Sequence, residues 1–184
     1  ALCAIVTSRW WLHAQDHSRG AAPLMQEARI VLARALLAQN KLEEAERLFR
    51  AATEEALPTP AALAWGNIGL GEISLRRGQA AEAARRFNDA VRADAEYASS
   101  LAARAGRIRA ETAANTLQVD PGARAFITQL DQAIVSGKKT ELEARIVPGE
   151  LVRFINGVVG TQPEVWKASV LRTEQLDANL MAVD

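Results

Sequence analysis

The stretch from Leu36 to Phe49 reads LLAQNKLEEAERLF, and 38 residues later the stretch from Ser74 to Phe87 reads SLRRGQAAEAARRF. The positions that agree lie at helical spacing and carry apolar or small residues: Leu37 and Leu75, Ala45 and Ala83, Phe49 and Phe87. In each copy a short polar break, QNK or RRGQ, interrupts that spacing. Each copy therefore predicts two helices joined by a tight turn.

Small residues at matching positions indicate that these helices pack closely. Two antiparallel helices approach each other only where the facing side chains are small, as at Ala33 and Gly71. Phe49 and Phe87 then fill the open end of each hairpin. One hairpin cannot cover its own apolar face, so stability requires neighbouring hairpins to stack. The fold class predicted is mainly α, a stack of helical hairpins followed by a small α+β segment.

The two copies resemble the tetratricopeptide repeat (TPR), whose pattern places Leu, Gly or Ala, Ala and Phe at set intervals. The matching residues are Leu32, Ala33, Leu36, Ala45, Phe49 and Ala52 in the first copy, and Leu70, Gly71, Ala83, Phe87 and Ala90 in the second. Arg29 and Asn67 depart from the pattern, which has tryptophan there. The spacing of 38 exceeds the usual repeat by about one helical turn, and Pro58 and Pro60 predict that the extra residues form a longer loop.

Domain boundaries follow from this repeat spacing. Residues 1–23 are expected to be an N-terminal remnant or helix, and residues 24–117 to hold the TPR-like repeats, at about 26–59 and 64–97, plus a capping helix. In that helix, from Tyr97 to Asn115, the predicted packing stripe is Leu101, Ala105 and Ile108, with Arg104, Arg107 and Arg109 exposed. A Pro-Gly break ends the repeat spacing, so residues 118–184 form a separate segment.

The segment 118–184 is expected to be α+β. Phe126, Leu130 and Ile134 lie four apart and predict a helix ending at Gly137. A second helix is predicted over 140–146, and a third around Leu151, Phe154 and Ile155. The period then becomes two in EVWKASVLRTEQ (164–175) and LDANLMAVD (176–184), which predicts a β-hairpin with its break between these stretches.

Helices followed by a β-hairpin resemble the opening of the nuclear transport factor 2-like (NTF2-like) cone fold, a curved sheet around a pocket. A complete member needs several more strands, so the resemblance implies a truncated cone-type domain with an incomplete pocket. The alternative is a small α+β appendage that packs on the repeats.

Composition and motifs favour a non-enzymatic protein. Twenty-two basic residues balance twenty-two acidic ones, so no global basic field recruits nucleic acid, and no apolar run is long enough for a membrane span. His13 and His17 lie four apart but lack a third ligand, and GNIGLG (66–71) lies inside a repeat helix rather than after a strand. We therefore expect no catalytic residue, metal or cofactor. Compartment and oligomeric state are not indicated.

The TPR resemblance implies a concave groove lined by the first helix of each hairpin. The groove residues it implies are Arg34, Leu37, Trp65, Ile68, Glu72 and Arg76, with Glu27, Ile30, Ala38 and Leu75 also at outward positions. The leading hypothesis is a scaffold that binds a peptide or partner protein in this groove. Two alternatives stay open: a small-molecule-binding or catalytic NTF2-like domain targeted by the repeats, and assembly through the unfinished strand.

Overall fold

The computed structural model describes residues 22–93, 95–150 and 165–184. The chain divides into two compact units, with the boundary between Thr116 and Leu117. It is mainly helical and carries a two-stranded antiparallel sheet near its C-terminal end, which confirms the predicted mainly α class with a terminal β-hairpin. The predicted N-terminal segment up to residue 21, with His13 and His17, and the predicted helix around Leu151 lie outside the described residues.

The described part of the first unit contains five helices: α1 (residues 22–38), α2 (Leu42–Thr53), α3 (Pro60–Arg76), α4 (Ala80–Arg92) and α5 (Tyr97–Ala113). Three residues join α1 to α2, and three join α3 to α4. Helices that pack together across so short a connection run antiparallel. Helix α1 packs on α2 and α3 in one core, and α3, α4 and α5 share a second core. The unit is thus two helical hairpins followed by a fifth helix.

Helices α1, α3 and α5 end in the same way. The second residue after each helix end adopts a left-handed conformation: Asn40 with φ 60°, Gly78 with φ 73° and Asn115 with φ 55°. The next backbone N–H in each case donates to a carbonyl five residues earlier, Lys41 to Leu36 at 2.9 Å, Gln79 to Ser74 at 2.8 Å and Thr116 to Glu111 at 2.8 Å. These bonds form a Schellman motif. Helix α5 is therefore equivalent to α1 and α3, the first helices of the two hairpins, and we call these three the first-type helices. It begins 37 residues after the start of α3.

Two phenylalanine rings hold these helices together. Phe49 and Phe87 are completely buried. A Cβ on Gly69 would lie 2.3 Å from the Phe49 ring, and a Cβ on Gly106 would lie 2.2 Å from the Phe87 ring. Each ring from the second helix of a hairpin is therefore seated on a glycine of the next first-type helix. Gly71 of α3 also lies against the Phe87 ring, and an added Cβ there would be 2.9 Å from it.

The prediction for the packing face of α5 was wrong. Leu101 is 55% exposed and Ala105 is also exposed, whereas the buried residues are Ser99, Ala103, Gly106, Arg107 and Ala110. Arg107, expected at the surface, is 6% exposed. The reason is steric, because α5 turns its smallest side chains toward the Phe87 ring and leaves its larger apolar ones outside.

Gln26 organises the loop between the hairpins, residues 54–59. Its side chain is 2% exposed. The amide nitrogen donates to Glu55 Oε2 at 2.6 Å and to the Leu57 carbonyl at 3.0 Å, and the amide oxygen accepts from the Thr59 N–H at 2.9 Å. Thr59 in turn caps α3, because its Oγ1 accepts from the Ala62 N–H at 3.1 Å. The loop is thus held by hydrogen bonds from α1.

A charged triad ties α2 to the end of α3. Glu46 Oε1 accepts from Arg50 Nη2 at 2.7 Å, and Glu46 Oε2 accepts from Arg77 Nη1 at 2.6 Å. The hydrogen bond from Arg50, followed by that from Arg77, lowers the pKa of Glu46 below its ordinary value. Helices from different hairpins therefore share one ion-pair network.

The second unit contains α6 (Pro121–Ser136), α7 (Lys139–Glu143) and a helical segment over 148–150. Asp120 caps α6 by accepting from the Ala123 N–H at 2.7 Å, and α6 ends at Gly137, as predicted. Ala133, Ile134 and Leu142 form the core of the unit. Phe126 is 45% exposed and lies outside this core, and α7 is shorter than the predicted 140–146.

The β-hairpin lies later in the chain than the alternation predicted. Its strands are β1 (Thr173–Asp177) and β2 (Leu180–Val183), with Thr173 opposite Val183. The predicted break between Gln175 and Leu176 falls inside β1, and residues 165–172 are not part of a strand. Turn chemistry explains the shift, because Asp177 Oδ1 accepts from the Asn179 N–H at 2.7 Å and reverses the chain there.

We predict that Gly106→Ala destabilises the first unit, although alanine is the better helix former by about 1 kcal/mol. Its methyl group would enter the space of a fully buried ring, and overpacking costs about 1–3 kcal/mol. Urea unfolding should show a net loss of up to about 2 kcal/mol. In a Phe87→Leu background the same change should be neutral or stabilising; an equal loss in both backgrounds would disprove the contact.

A second prediction concerns the pH dependence of Glu46→Gln. Because the pKa of Glu46 is lowered in the folded state, its contribution is present above the unfolded value, about 4.3, and is lost as the pH falls through the folded value. The variant should cost up to about 1 kcal/mol at neutral pH and nothing in strong acid. Paired urea unfolding curves at pH 7 and pH 3 measure this difference, and a loss as large at pH 3 as at pH 7 would contradict it.

Candidate functional site

The structure brings all six predicted groove residues to one cleft between α1 and α3. Helix α1 contributes Arg34 and Leu37, and α3 contributes the other four, Trp65, Ile68, Glu72 and Arg76. The cleft has a volume of about 270 Å³. Residues of the cleft recur every three or four positions along each helix, so they lie on one helical face. The positions implied by the resemblance are therefore neighbours in space.

The floor of the cleft is apolar. Leu37, Ala38 and Ile68 contribute apolar side chains to its lining. Gly69 and Phe49 also line the cleft, since the absence of a side chain at Gly69 brings the Phe49 ring close to this surface. This floor suits an apolar side chain of a ligand.

A stacked pair of side chains, Arg34 and Trp65, is shared with a second cleft. The Arg34 guanidinium carbon lies 4.5 Å from the centroid of the Trp65 ring, a cation–π contact. The Trp65 indole N–H donates to Glu96 Oε1 at 2.6 Å. Arg34 and Trp65 also line a cleft of about 440 Å³, together with Glu27 and Ile30. The pair thus connects two concave surfaces.

The charged residues of the cleft differ in how they are engaged. Arg76 Nη1 donates to the Leu37 carbonyl at 2.9 Å and to Asn40 Oδ1 at 3.1 Å, so it stabilises the end of α1. Glu72 forms an ion pair with Arg109 of α5. Arg34, in contrast, has no ion-pair partner among the described residues. Arg34 is therefore the cation of this cleft that is most available to a ligand.

Ile30 and Leu75 were also predicted at outward positions of the groove, but both pack against the helical cores. Ile30 lines the second cleft but is only 5% exposed and packs in the core with Phe49. Leu75 packs against the core formed by α3, α4 and α5. Both residues therefore contribute mainly to stability.

Sequence reasoning missed three partners of the groove residues: Asn40, Glu96 and Arg109. For Arg109 a signal existed. Arg34, Glu72 and Arg109 occupy equivalent positions in α1, α3 and α5, at offsets of 38 and 37. Extending the repeat register to α5 predicts this row of alternating charges. This row goes unrecognised when α5 is interpreted only as a capping helix.

Within residues 22–93, 95–150 and 165–184, no group of three or more His, Cys, Asp or Glu side chains is arranged to hold a metal ion. No helix in those ranges combines the length and apolar character needed to cross a membrane.

The fold and the cleft define a mainly α protein with two helical hairpins and a fifth helix, in which α1 and α3 line a cleft. Comparisons with known proteins return no match: no family model, no curated protein and no solved structure corresponds to this chain.

We predict that replacing either arginine of the cleft by alanine lowers the free energy of unfolding, and that the loss is larger for Arg76 than for Arg34. Arg76→Ala removes hydrogen bonds that hold the end of α1 and should lower the free energy of unfolding by about 1–2 kcal/mol. Arg34→Ala removes one exposed stacking contact and should cost about 0.5–1 kcal/mol. Urea unfolding of both variants tests this order, and a larger loss for Arg34→Ala would reverse our assignment of Arg34 as the available cation.

Proposed function

We propose that this protein is a non-enzymatic scaffold of the TPR type that binds a peptide or a segment of a partner protein in the groove between α1 and α3. The observation that supports it best is the convergence of Arg34, Leu37, Trp65, Ile68, Glu72 and Arg76 on one cleft. The repeat pattern alone implies these positions, and their meeting on one surface is what a repeat groove requires.

The equivalence of α1, α3 and α5 supports the repeat part of this proposal. All three end with a left-handed residue and the same backbone hydrogen bonds. The second helices, α2 and α4, each supply one buried phenylalanine to the next first-type helix. Units that contact only their neighbours through a constant set of residues are typical of repeat proteins.

The chemistry of the cleft indicates what a ligand contributes. An apolar side chain would lie on Leu37 and Ile68, and a polar or acidic group would reach the exposed guanidinium of Arg34. Glu72 is paired with Arg109, so it adds little free charge to the surface. A short peptide segment offers both groups at the required spacing.

Ala38→Glu tests the groove without disturbing the core. Ala38 is exposed and lines the cleft, so a longer charged side chain there blocks the apolar floor. Ala51→Glu is the matched control, because Ala51 is an exposed alanine near the end of α2 and lies outside the cleft. Both changes place the same residue near a helix C-terminus, so their cost in helix stability is similar.

The probe is a random peptide library displayed on phage and selected against the intact chain. Enriched peptides should bind the intact chain and Ala51→Glu equally and should lose at least about tenfold in affinity for Ala38→Glu, as measured by fluorescence anisotropy with synthetic peptides. Peptides that bind Ala38→Glu as well as the intact chain would place the binding surface elsewhere and overturn the groove proposal.

The alternative of a cone-type pocket has no supporting observation. In the described residues of the second unit, β1 pairs with β2 and no further strand is present. The resemblance to the NTF2-like fold therefore stays a prediction.

A further inference from the structure

An exposed apolar face runs along α1, beside the groove. It is formed by Leu24, Ala28, Val31, Leu32 and Ala35, which line a shallow surface groove. Leu24 is 67% exposed, Val31 60% and Leu32 53%. Large apolar side chains concentrated on one helix face mark an interaction surface more often than isolated ones do.

The equivalent faces of α3 and α5 show what packs against a face of this kind. The equivalent positions in α3 are Ala62, Gly66, Gly69, Leu70 and Ile73, and those in α5 are Ser99, Ala103, Gly106, Arg107 and Ala110. All ten are buried. Gly66 and Gly69 contact residues of α2, and Gly106 contacts Phe87 of α4, so in both helices this face packs against a helix. The same face of α1 is therefore built to receive a helix.

The residue at the centre of the face restricts that helix. Val31 of α1 stands where Gly69 and Gly106 each admit a phenylalanine ring. A valine side chain leaves no space for such a ring, so a hairpin of the kind seen in this chain cannot dock here. The incoming helix must present small residues opposite Val31.

Helix α1 itself meets this requirement. Leu24, Ala28, Val31 and Ala35 follow the spacing 4-3-4 of a helix-packing seam. Two copies of α1 can pair antiparallel so that Ala28 of one copy lies opposite Val31 of the other. In this register Leu24 lies opposite Ala35 of the second copy. Every layer then combines one larger and one smaller side chain, which is the condition for close packing.

The charges beside the seam are also complementary to a second copy. Glu27 and Arg34 lie on the same edge of the face, one turn before and one turn after its centre. Antiparallel pairing brings Glu27 of one copy toward Arg34 of the other, twice by symmetry. A parallel pair would not bring Glu27 and Arg34 together, because residues on this edge would face the opposite edge of the partner helix.

We propose that the face of α1 formed by Leu24, Ala28, Val31, Leu32 and Ala35 pairs two copies of this chain through an antiparallel, two-fold contact. The interface is isologous, so each copy supplies the same residues. One helix pair buries less area than a standard stable interface, and we expect association that depends on protein concentration. This self-association goes beyond the proposed peptide binding.

Val31→Glu is the first test, measured by sedimentation velocity over a range of protein concentrations. The intact chain should form a dimer, and Val31→Glu should raise its dissociation constant at least about tenfold, since it places like charges in the seam. Thermal unfolding checks that the variant is folded, as expected for an exposed position. A chain that stays monomeric at every concentration overturns the proposal.

Leu101→Glu is the matched control. Leu101 is an exposed leucine on α5, 55% accessible, and lies outside the α1 face. It should leave the dissociation constant unchanged. If Leu101→Glu weakens association as much as Val31→Glu, the contact joins α1 of one copy to α5 of another, and the two-fold arrangement is wrong.

A charge exchange tests the orientation. Glu27→Arg alone and Arg34→Glu alone each bring like charges together across an antiparallel pair and should weaken the dimer. The double variant restores opposite charges and should recover its affinity. Failure of the double variant to recover, with both single variants weakened, would exclude the antiparallel register.

Discussion

The seating of a phenylalanine ring on a glycine is the contact on which the first unit depends. Among the residues that the structure describes, Phe49 and Phe87 are the largest completely buried side chains, and each fits only because Gly69 or Gly106 carries no Cβ. A ring cannot slide along a helix past positions that bear side chains, so the contact determines both the distance and the register between neighbouring helices. The arrangement of every other surface of the unit follows from that register.

The groove is one consequence of this register. Once α3 is positioned on Phe49 and α5 on Phe87, equivalent positions of the first-type helices form rows. One such row contains Arg34, Glu72 and Arg109, and its alternating charges let Glu72 pair with Arg109 while Arg34 stays beside Trp65. The core contacts and the chemistry of the groove are therefore linked through helix spacing, although no residue of this row belongs to the core.

The sequence predicted the parts of the fold that occur in both copies of the repeat. Phe49, Phe87 and their alanine neighbours could be recognised because two copies share them, and the groove residues followed from the same register. The packing face of α5 could not be found from hydrophobic spacing, because four of its five buried residues are small, the fifth is Arg107, and Leu101 and Ile108 dominated the pattern. The β-hairpin was found by its alternation but misplaced, since side-chain hydrogen bonds at Asp177 decide the turn.

Positions at which equivalent helices carry different residues indicate how the surfaces of those helices differ. Gly69 and Gly106 admit a ring from the preceding hairpin, whereas Val31 at the same position of α1 excludes one. A helix inside a continuous repeat gains nothing from valine there, because the substitution removes the space that its neighbour needs. The valine therefore indicates that α1 does not receive another phenylalanine-bearing hairpin on this face. Helix α1 thus differs from α3 and α5 at the surface where those two helices accept a ring.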